Sequence, residues 1–366
     1  MEDLIIRAMD KQDARAVLKG QRKAFSPLFG LFLSRPKEGV VAESGGRIVG
    51  AVTYKTIPAG KVRVGYLDIG YVDSGFRGLK LGGRLYEAAM DKLRDEGCEV
   101  ITAAIRDDNR ASWKIMERNG CTIHPFYRLI GKFGLAGALR IGSTAHFPYA
   151  LGHELWATEN APRRPEQGPE QAPDPSRQSP LSALPGFAGI NFLLLLLASR
   201  GNIYFTLGAM ALLAAEILGG RIGTLGQPAR WHLQRPHAGL ALSVFVSITG
   251  GLLPSNAAWQ LTEGSYGTAG RTRLLGRTSL FAWIAAWLVT AASFIALARG
   301  YLSGLPAEAA SGSLNLGLMY LIYRSLAVFP FESFGGLRVY EWNRRIFWPA
   351  AAVSILTVIL IFIFRP

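Results

Sequence analysis

The sequence predicts an α+β domain, built on a mixed and mostly antiparallel sheet with flanking helices, followed by an all-α multi-span membrane domain. Three observations carry this: a change of composition along the chain, an alternation of strand and helix patterns up to about residue 133, and a series of apolar runs from Phe187 onward. The 366 residues hold 40 Lys and Arg against 26 Asp and Glu, a formal net charge of +14. Residues 1–155 carry 24 and 17 of these, whereas residues 187–366 carry 13 and 5, and all 13 of those basic residues are Arg. The basic residues of the second half stand between apolar runs rather than on one interleaved face. Membrane topology therefore accounts for them better than nucleic acid does, and no nucleic-acid partner is expected.

The elements of the first domain follow in order. Residues 3–9 (DLIIRAM) form a strand pattern, and DKQDARAVLKGQRKAF after them is helical, starting near an Asp cap. GVVAESGGRIVGAVTYKTI gives two β-rich runs joined at Ser44-Gly45-Gly46, a hairpin signal. A strand from Val64 to Val72 leads into the Gly-rich segment DSGFRGLKLGGRL. Leu81, Leu85, Ala89 and Leu93 then recur every four residues, and Gly97 ends that helix. Strand EVITAAI, helix ASWKIMERNG and strand TIHPFYRLIGKF complete the domain. Residues 134–158 are either a closing strand with an extra helix or a surface segment that touches a bilayer. Cys98 and Cys121 imply no disulfide framework, which suits a reducing cytoplasm. The N-terminus lacks the basic and apolar blocks of a cleaved signal peptide.

The first domain is expected at 1–155. Residues 156–186 contain a Pro-, Gln-, Glu- and Ser-rich stretch too poor in apolar residues to offset ordering entropy, and are expected to be a disordered linker. The membrane domain occupies 187–366. Its apolar runs lie near 187–199, 203–218, 238–254, 278–298, 314–331 and 346–364, against about 20 residues needed to cross a bilayer. If all six cross from a cytosolic linker, five Arg lie on the cytosolic side and seven outside. If 238–254, with its Gly250-Gly251 pair, enters and returns, nine lie inside and three outside. The second arrangement obeys the positive-inside rule, so five spans and a re-entrant segment near 238–254 are expected. The implied location is a cell membrane, multi-pass, with the N-terminal domain in the cytoplasm.

The chemistry is concentrated in Arg77-Gly78-Leu79-Lys80-Leu81-Gly82-Gly83. This segment joins a strand to a helix, where successive backbone N–H groups and a helix N-terminus form an anion site suited to a pyrophosphate. Asn109, Ser112, Met116, Glu117, Arg118, Gly120 and Cys121 follow at the spacing N-x-x-(A/S)-x-x-x-(Y/M)-E-(K/R)-x-G-(F/C). With these two motifs the first 133 residues resemble the GNAT acetyltransferase superfamily. The resemblance implies a GNAT fold, acetyl-CoA as co-substrate, an amine as acceptor, no metal, and Asn109 near the pantetheine arm. It further implies an oxyanion contact from the backbone N–H near Val72. Lys80 departs from the usual Gly, and Met116 from the Tyr that often protonates the departing thiolate. Amine attack on a thioester needs a base and an acid. Asp68 in YLDIGYV is the candidate base, and Tyr127, assigned to the last strand, is the candidate acid.

From about residue 200 to 348 the chain resembles a degenerate site-2 protease-like membrane metalloprotease. Ala215-Glu216-Ile217-Leu218-Gly219 stands in place of HExxH. Phe334-Gly335-Gly336-Leu337-Arg338, followed by Trp342-Asn343, stands in place of the L-D-G segment. The zinc ligands are missing, so this resemblance implies a non-catalytic domain. Arg324 lies inside an apolar run and needs a partner, for which Glu216 is the candidate. Two functions follow: a membrane-anchored N-acetyltransferase, or an acyl-CoA-sensing module that controls a pseudoprotease or transporter-like domain.

Overall fold

The computed structural model describes residues 4–25, 33–59, 62–76, 78–107, 109–124, 126–144, 151–158, 179–227, 229–262, 269–328 and 331–364. The chain divides into two compact units, Met1–Phe147 with His153–Ala172, and Pro148–Gly152 with Pro173–Pro366. Most of the expected linker, 159–178, lies outside the described residues, as does Arg77.

The first unit is a seven-stranded sheet in the order β1-β2-β3-β4-β5-β7-β6, all antiparallel except β4 against β5. Its elements are β1 (Ile5–Ala8), α1 (Asp13–Ala24), β2 (Glu38–Ser44), β3 (Arg47–Ala59), β4 (Val62–Val72), α2 (Leu81–Asp95), β5 (Val100–Arg106), α3 (Arg110–Arg118), β6 (Cys121–Ile123), α4 (Phe126–Thr144) and β7 (His153–Thr158). The carboxylate of Asp10 accepts the backbone N–H of Gln12 and of Asp13, which sets the start of α1. Gly45 and Gly46 both have positive φ, 56° and 72°, as a two-residue hairpin loop between twisted strands requires.

Helices α2 and α3 cover one face of the sheet, where Leu81, Leu85, Leu93, Trp113 and Met116 pack with Val52, Leu67, Ile101 and Trp156. Helix α1 covers the other face, with Val17 against Val41, Ala51 and Tyr71. Cys98 and Cys121 are buried free thiols. Burial pushes their pKa values up, to about 11 and about 12, which leaves them unreactive.

The long final strand expected over 122–133 does not form. Strand β6 ends at Ile123 and the chain continues as helix α4. After the interruption at Gly134 (φ 67°), the buried Ala138 and Ile141 follow helical spacing, and Leu129 is buried before it. The aromatic and β-branched content of this stretch masked that period. Tyr127 therefore sits on a helix, not on a strand. Within 134–158 the described residues form the end of α4 and the closing strand β7.

The second unit comprises α5 (Leu184–Ala198), α6 (Ile203–Thr224), α7 (Leu240–Ile248), α8 (Ala269–Ala298), α9 (Gly304–Ser325), α10 (Gly336–Trp342) and α11 (Arg344–Phe364), with a hairpin of β8 (Trp231–Gln234) and β9 (Ala258–Leu261). Helices α6, α8 and α11 are long and apolar enough to cross a membrane. The apolar run assigned to 314–331 is carried on a helix that begins at Gly304 and stops at Ser325, because the Ala-rich segment before it also favours helix. Helix α7, at 9 residues, is too short to cross alone and ends before Gly250 (φ 83°).

Small residues let α6, α8 and α9 meet at backbone distance. A Cβ on Gly208 would collide with the Ala309 carbonyl, one on Gly312 with Phe205, and one on Gly223 with Thr278. Trp283 and Trp287 donate to Ser354 and Thr357, both at 2.9 Å, tying α8 to α11. We expect Gly208→Val to abolish recovery of a monodisperse protein in size-exclusion chromatography, while Gly189→Ala, where an added Cβ meets nothing within 4 Å, leaves the profile unchanged.

Candidate active site

Pairing between β4 and β5 runs from Val64 opposite Val100 to Leu67 opposite Ala103 and stops there. Beyond it β5 stays paired to β7 as far as Arg106, and β4 stays paired to β3 as far as Val72. The two parallel neighbours thus form a fork. Its cause is local: Leu67 opposes Tyr54 and Gly70 opposes Val52, so β4 holds one more residue than β3 across that interval. This bulge bends the strand and flips its side-chain parity. Leu67 before it and Val72 after it both reach the α2 side of the sheet.

The Asp73 N–H donates to the Val49 carbonyl at 2.8 Å, toward β3. Alternation along an extended strand then turns the N–H groups of Val72 and Gly70 away from β3, into the fork. This is the orientation that the oxyanion role expected near Val72 requires.

At the tip of the fork a 3-10 turn, Ser74–Phe76, leads to Gly78 (φ 85°) and Lys80 (φ 55°). Lys80 is the residue preceding the first turn of α2 and adopts the left-handed conformation. Lys80, which departs from the family's usual Gly, therefore stands where positive φ is needed and bears the strain. No side chain caps α2, leaving the amide groups around Leu81, Gly82 and Gly83 available to an anion. Leu79 is 41 % exposed beside them. Helix α3 differs, since the Asn109 side-chain oxygen accepts the Ser112 N–H at 3.2 Å. That leaves the carboxamide NH2 of Asn109 as the group that can face a ligand.

Asp68 lies at the root of the fork, just past the last β4–β5 pair, and its carboxylate meets Lys55 Nζ at 2.7 Å. Lys55 follows Tyr54, which faces α2, so the pair stands on the opposite side of the sheet. Tyr127 is on α4, and its side chain lies outside the described residues.

A residue that the sequence did not single out stands on the α2 face of the fork. Tyr86 directs its hydroxyl at Gly70, where a Cβ would lie 2.7 Å from it. Burial raises the pKa of this phenol, keeping it protonated. The available signal was Gly70 itself, a glycine in an otherwise bulky strand, which marks a close approach. Met116 occupies the family's usual Tyr position and is fully buried in the core.

In the helical unit, Arg324 donates to Glu216 Oε1 from Nε at 2.9 Å and to the Ser279 carbonyl at 3.1 Å. Both side chains are buried, which pairs this charge, carried in an apolar run, with the carboxylate expected for it. Gly335 (φ 93°) lies against the same guanidinium, where an added Cβ would stand 3.1 Å from it.

Residues 8–121 match the Acetyltransferase (GNAT) family. They constitute a GNAT acetyltransferase domain with the mixed sheet of that fold, and acetyl-CoA is the co-substrate of the family. No curated protein matches the chain. Among solved structures, it is similar to a chain of the NatC complex bound to Gag peptide and CoA, at 20 % identity over 43 % of this chain and 99 % of that one, with a TM-score of 0.32. The ribosomal-protein-S18-alanine N-acetyltransferase from Escherichia coli aligns at 16 % identity over 45 % and 99 %, with a TM-score of 0.31. N-acetylglutamate synthase from Neisseria gonorrhoeae aligns at 17 % over 44 % and 36 %, with a TM-score of 0.33.

Left-handed backbone costs a non-glycine residue about 1 kcal/mol. We expect Lys80→Gly to raise the thermal midpoint of the domain and to weaken acetyl-CoA several-fold by removing a cation. Lys80→Ala should weaken binding without the stability gain. Scanning calorimetry and ligand titration on the two variants check this; a destabilised Lys80→Gly would contradict the backbone assignment.

Proposed function

We propose that the chain transfers an acetyl group from acetyl-CoA to an amine, and that its helical unit holds this activity at a bilayer. The observation that carries the first part is the fork: two strand amides, those of Gly70 and Val72, turn into a gap whose tip is an uncapped helix N-terminus. The pyrophosphate lies on Gly78–Gly83, with Arg77 and Lys80 supplying charge and Leu79 a side wall. The pantetheine arm follows β4 and meets Asn109 and Ser112.

The acceptor amine approaches from the Asp68 side. Asp68, held by Lys55, takes the proton from the ammonium directly or through a water. The freed lone pair attacks the thioester carbon, and the oxyanion is stabilised by the Val72 N–H. The C–S bond then breaks, the attacking nitrogen gives its second proton to solvent as the amide forms, and Tyr86, on the other side of the sheet, protonates the thiolate; Asp68 then releases its proton and Tyr86 regains one, which restores both groups. Base and acid act on opposite faces of one gap, which separates the entry of the amine from the departure of the thiol.

Three helices of crossing length, small-residue contacts and a buried ion pair support the bilayer placement. Glu216 and Gly335 lining one small cavity supports kinship of this unit with membrane metalloproteases that has lost its metal. In that reading Arg324 supplies the positive charge once provided by zinc.

Thiol release from acetyl-CoA, followed with a panel of small amines and peptide N-termini and confirmed by product mass, tests the activity. We expect Asp68→Asn and Tyr86→Phe each to lower kcat about 100-fold with acetyl-CoA binding retained. Unchanged rates would remove those roles. Binding without turnover on any amine would favour an acyl-CoA-sensing module instead.

A further inference from the structure

Helix α4 carries an apolar and basic surface that the acetyl-transfer site does not use. Its segment Phe126–Thr144 contains Arg128, Lys132 and Arg140 and no acidic residue. Leu135 and Leu139, one turn apart, are 59 % and 51 % exposed, and Ile130 is 37 % exposed. Helical residues this apolar are ordinarily turned to a core, as Ala138 and Ile141 of the same helix are.

Beneath the first half of α4 lies a cavity of about 310 Å3 lined by Val100, His124, Arg128, Leu129, Lys132 and Phe133. It sits at the Val100 end of β5, where β4 and β5 are still paired, and therefore away from the fork. Two cations at its rim and apolar walls suit a phosphate joined to hydrocarbon.

From this we infer that α4 docks on the headgroup layer of an anionic phospholipid bilayer, with Leu135 and Leu139 entering the interface and a lipid phosphate held between Arg128 and Lys132. The charge of the surface is complementary to an anionic leaflet, where each basic residue is worth about 1 kcal/mol, a factor of about five. Exposed leucines beside Lys and Arg are the pattern of an interfacial helix. Chain order supports a bilayer over other occupants: α4 ends at Thr144, and Pro148–Gly152 already belong to the unit whose helices are long enough to cross. Docking would orient the fork toward amines carried at or near the membrane surface.

The inference rests on the bilayer placement of the helical unit. The full chain, with a cysteine introduced by Leu139→Cys and labelled with an environment-sensitive fluorophore, is reconstituted into nanodiscs of phosphatidylcholine or of phosphatidylcholine with phosphatidylglycerol. The native cysteines are buried, and Lys92→Cys on α2 serves as the reference site. A blue-shifted probe at position 139, quenched by spin-labelled lipid only in the anionic discs, is the expected result. Arg128→Gln with Lys132→Gln should lower the docked-to-free ratio about fivefold per charge removed. A probe that stays water-exposed in both discs overturns the docking. One shielded equally in lipid-free detergent, or shielded only at protein concentrations where mass photometry detects a dimer, overturns it in favour of a protein neighbour. A chain recovered in the soluble fraction without lipid or detergent would overturn the bilayer placement itself, a separable outcome.

Discussion

One extra residue in β4 governs the first unit. Between Leu67 and Gly70 the strand holds three steps against two on β3, and every later feature of the site follows from that mismatch. The strand bends away from β5, pairing ends at Leu67 and Ala103, and the amides of Gly70 and Val72 are left facing a gap. Unpaired strand amides in a protein interior are costly, so a fork of this kind persists only where water or a ligand satisfies them. Thr53 shows how the neighbouring strand adapts: its hydroxyl lies 3.3 Å from both the N–H and the carbonyl of Ile69 at the bulge, in place of a ladder bond.

The bulge also explains how a single short strand supplies both faces. Asp68 is carried to the side of Lys55, while Gly70 admits the Tyr86 ring on the side of α2. Without the parity change, Gly70 and Leu67 would point to opposite faces, and Tyr86 would meet a bulkier neighbour. Gly20 makes the matching allowance on the far side, where it leaves room for Tyr71. Tyr71 on the strand and Tyr86 beside it thus depend on two glycines, and neither phenol fits if a Cβ is added.

Much of this domain was legible because its signals are local. The Gly45-Gly46 turn, the four-residue spacing of Leu81, Leu85, Ala89 and Leu93, and the Gly78–Gly83 loop each announce a backbone geometry by residue type. The helix over ASWKIMERNG was legible too, whereas Asn109 was singled out by its motif and its part as the cap came only with the structure. Tyr86 was not legible, because its role depends on a strand sixteen positions away and on a bulge that no single residue encodes. The strand assigned over 122–133 failed for a related reason: the helix that replaces it is kinked at Gly134, which breaks up its period, while alternation over the first few residues imitates a strand. In the helical unit the pairing of Arg324 with Glu216 could be anticipated from the cost of an unpaired intramembrane charge, whereas the extension of α9 back to Gly304 could not be read from hydropathy.

The central claim is that the Gly70 and Val72 amides face an open fork that acetyl-CoA fills. Residue-resolved hydrogen exchange on the full chain in detergent, with and without saturating acetyl-CoA, addresses it directly. Tyr71, whose N–H points toward β3, should exchange slowly in both states. Gly70 and Val72 should exchange fast in the free protein and become protected when acetyl-CoA is added. Protection of Val72 equal to that of Tyr71 in the free protein, or exchange at Val72 unaffected by saturating acetyl-CoA, would contradict the account.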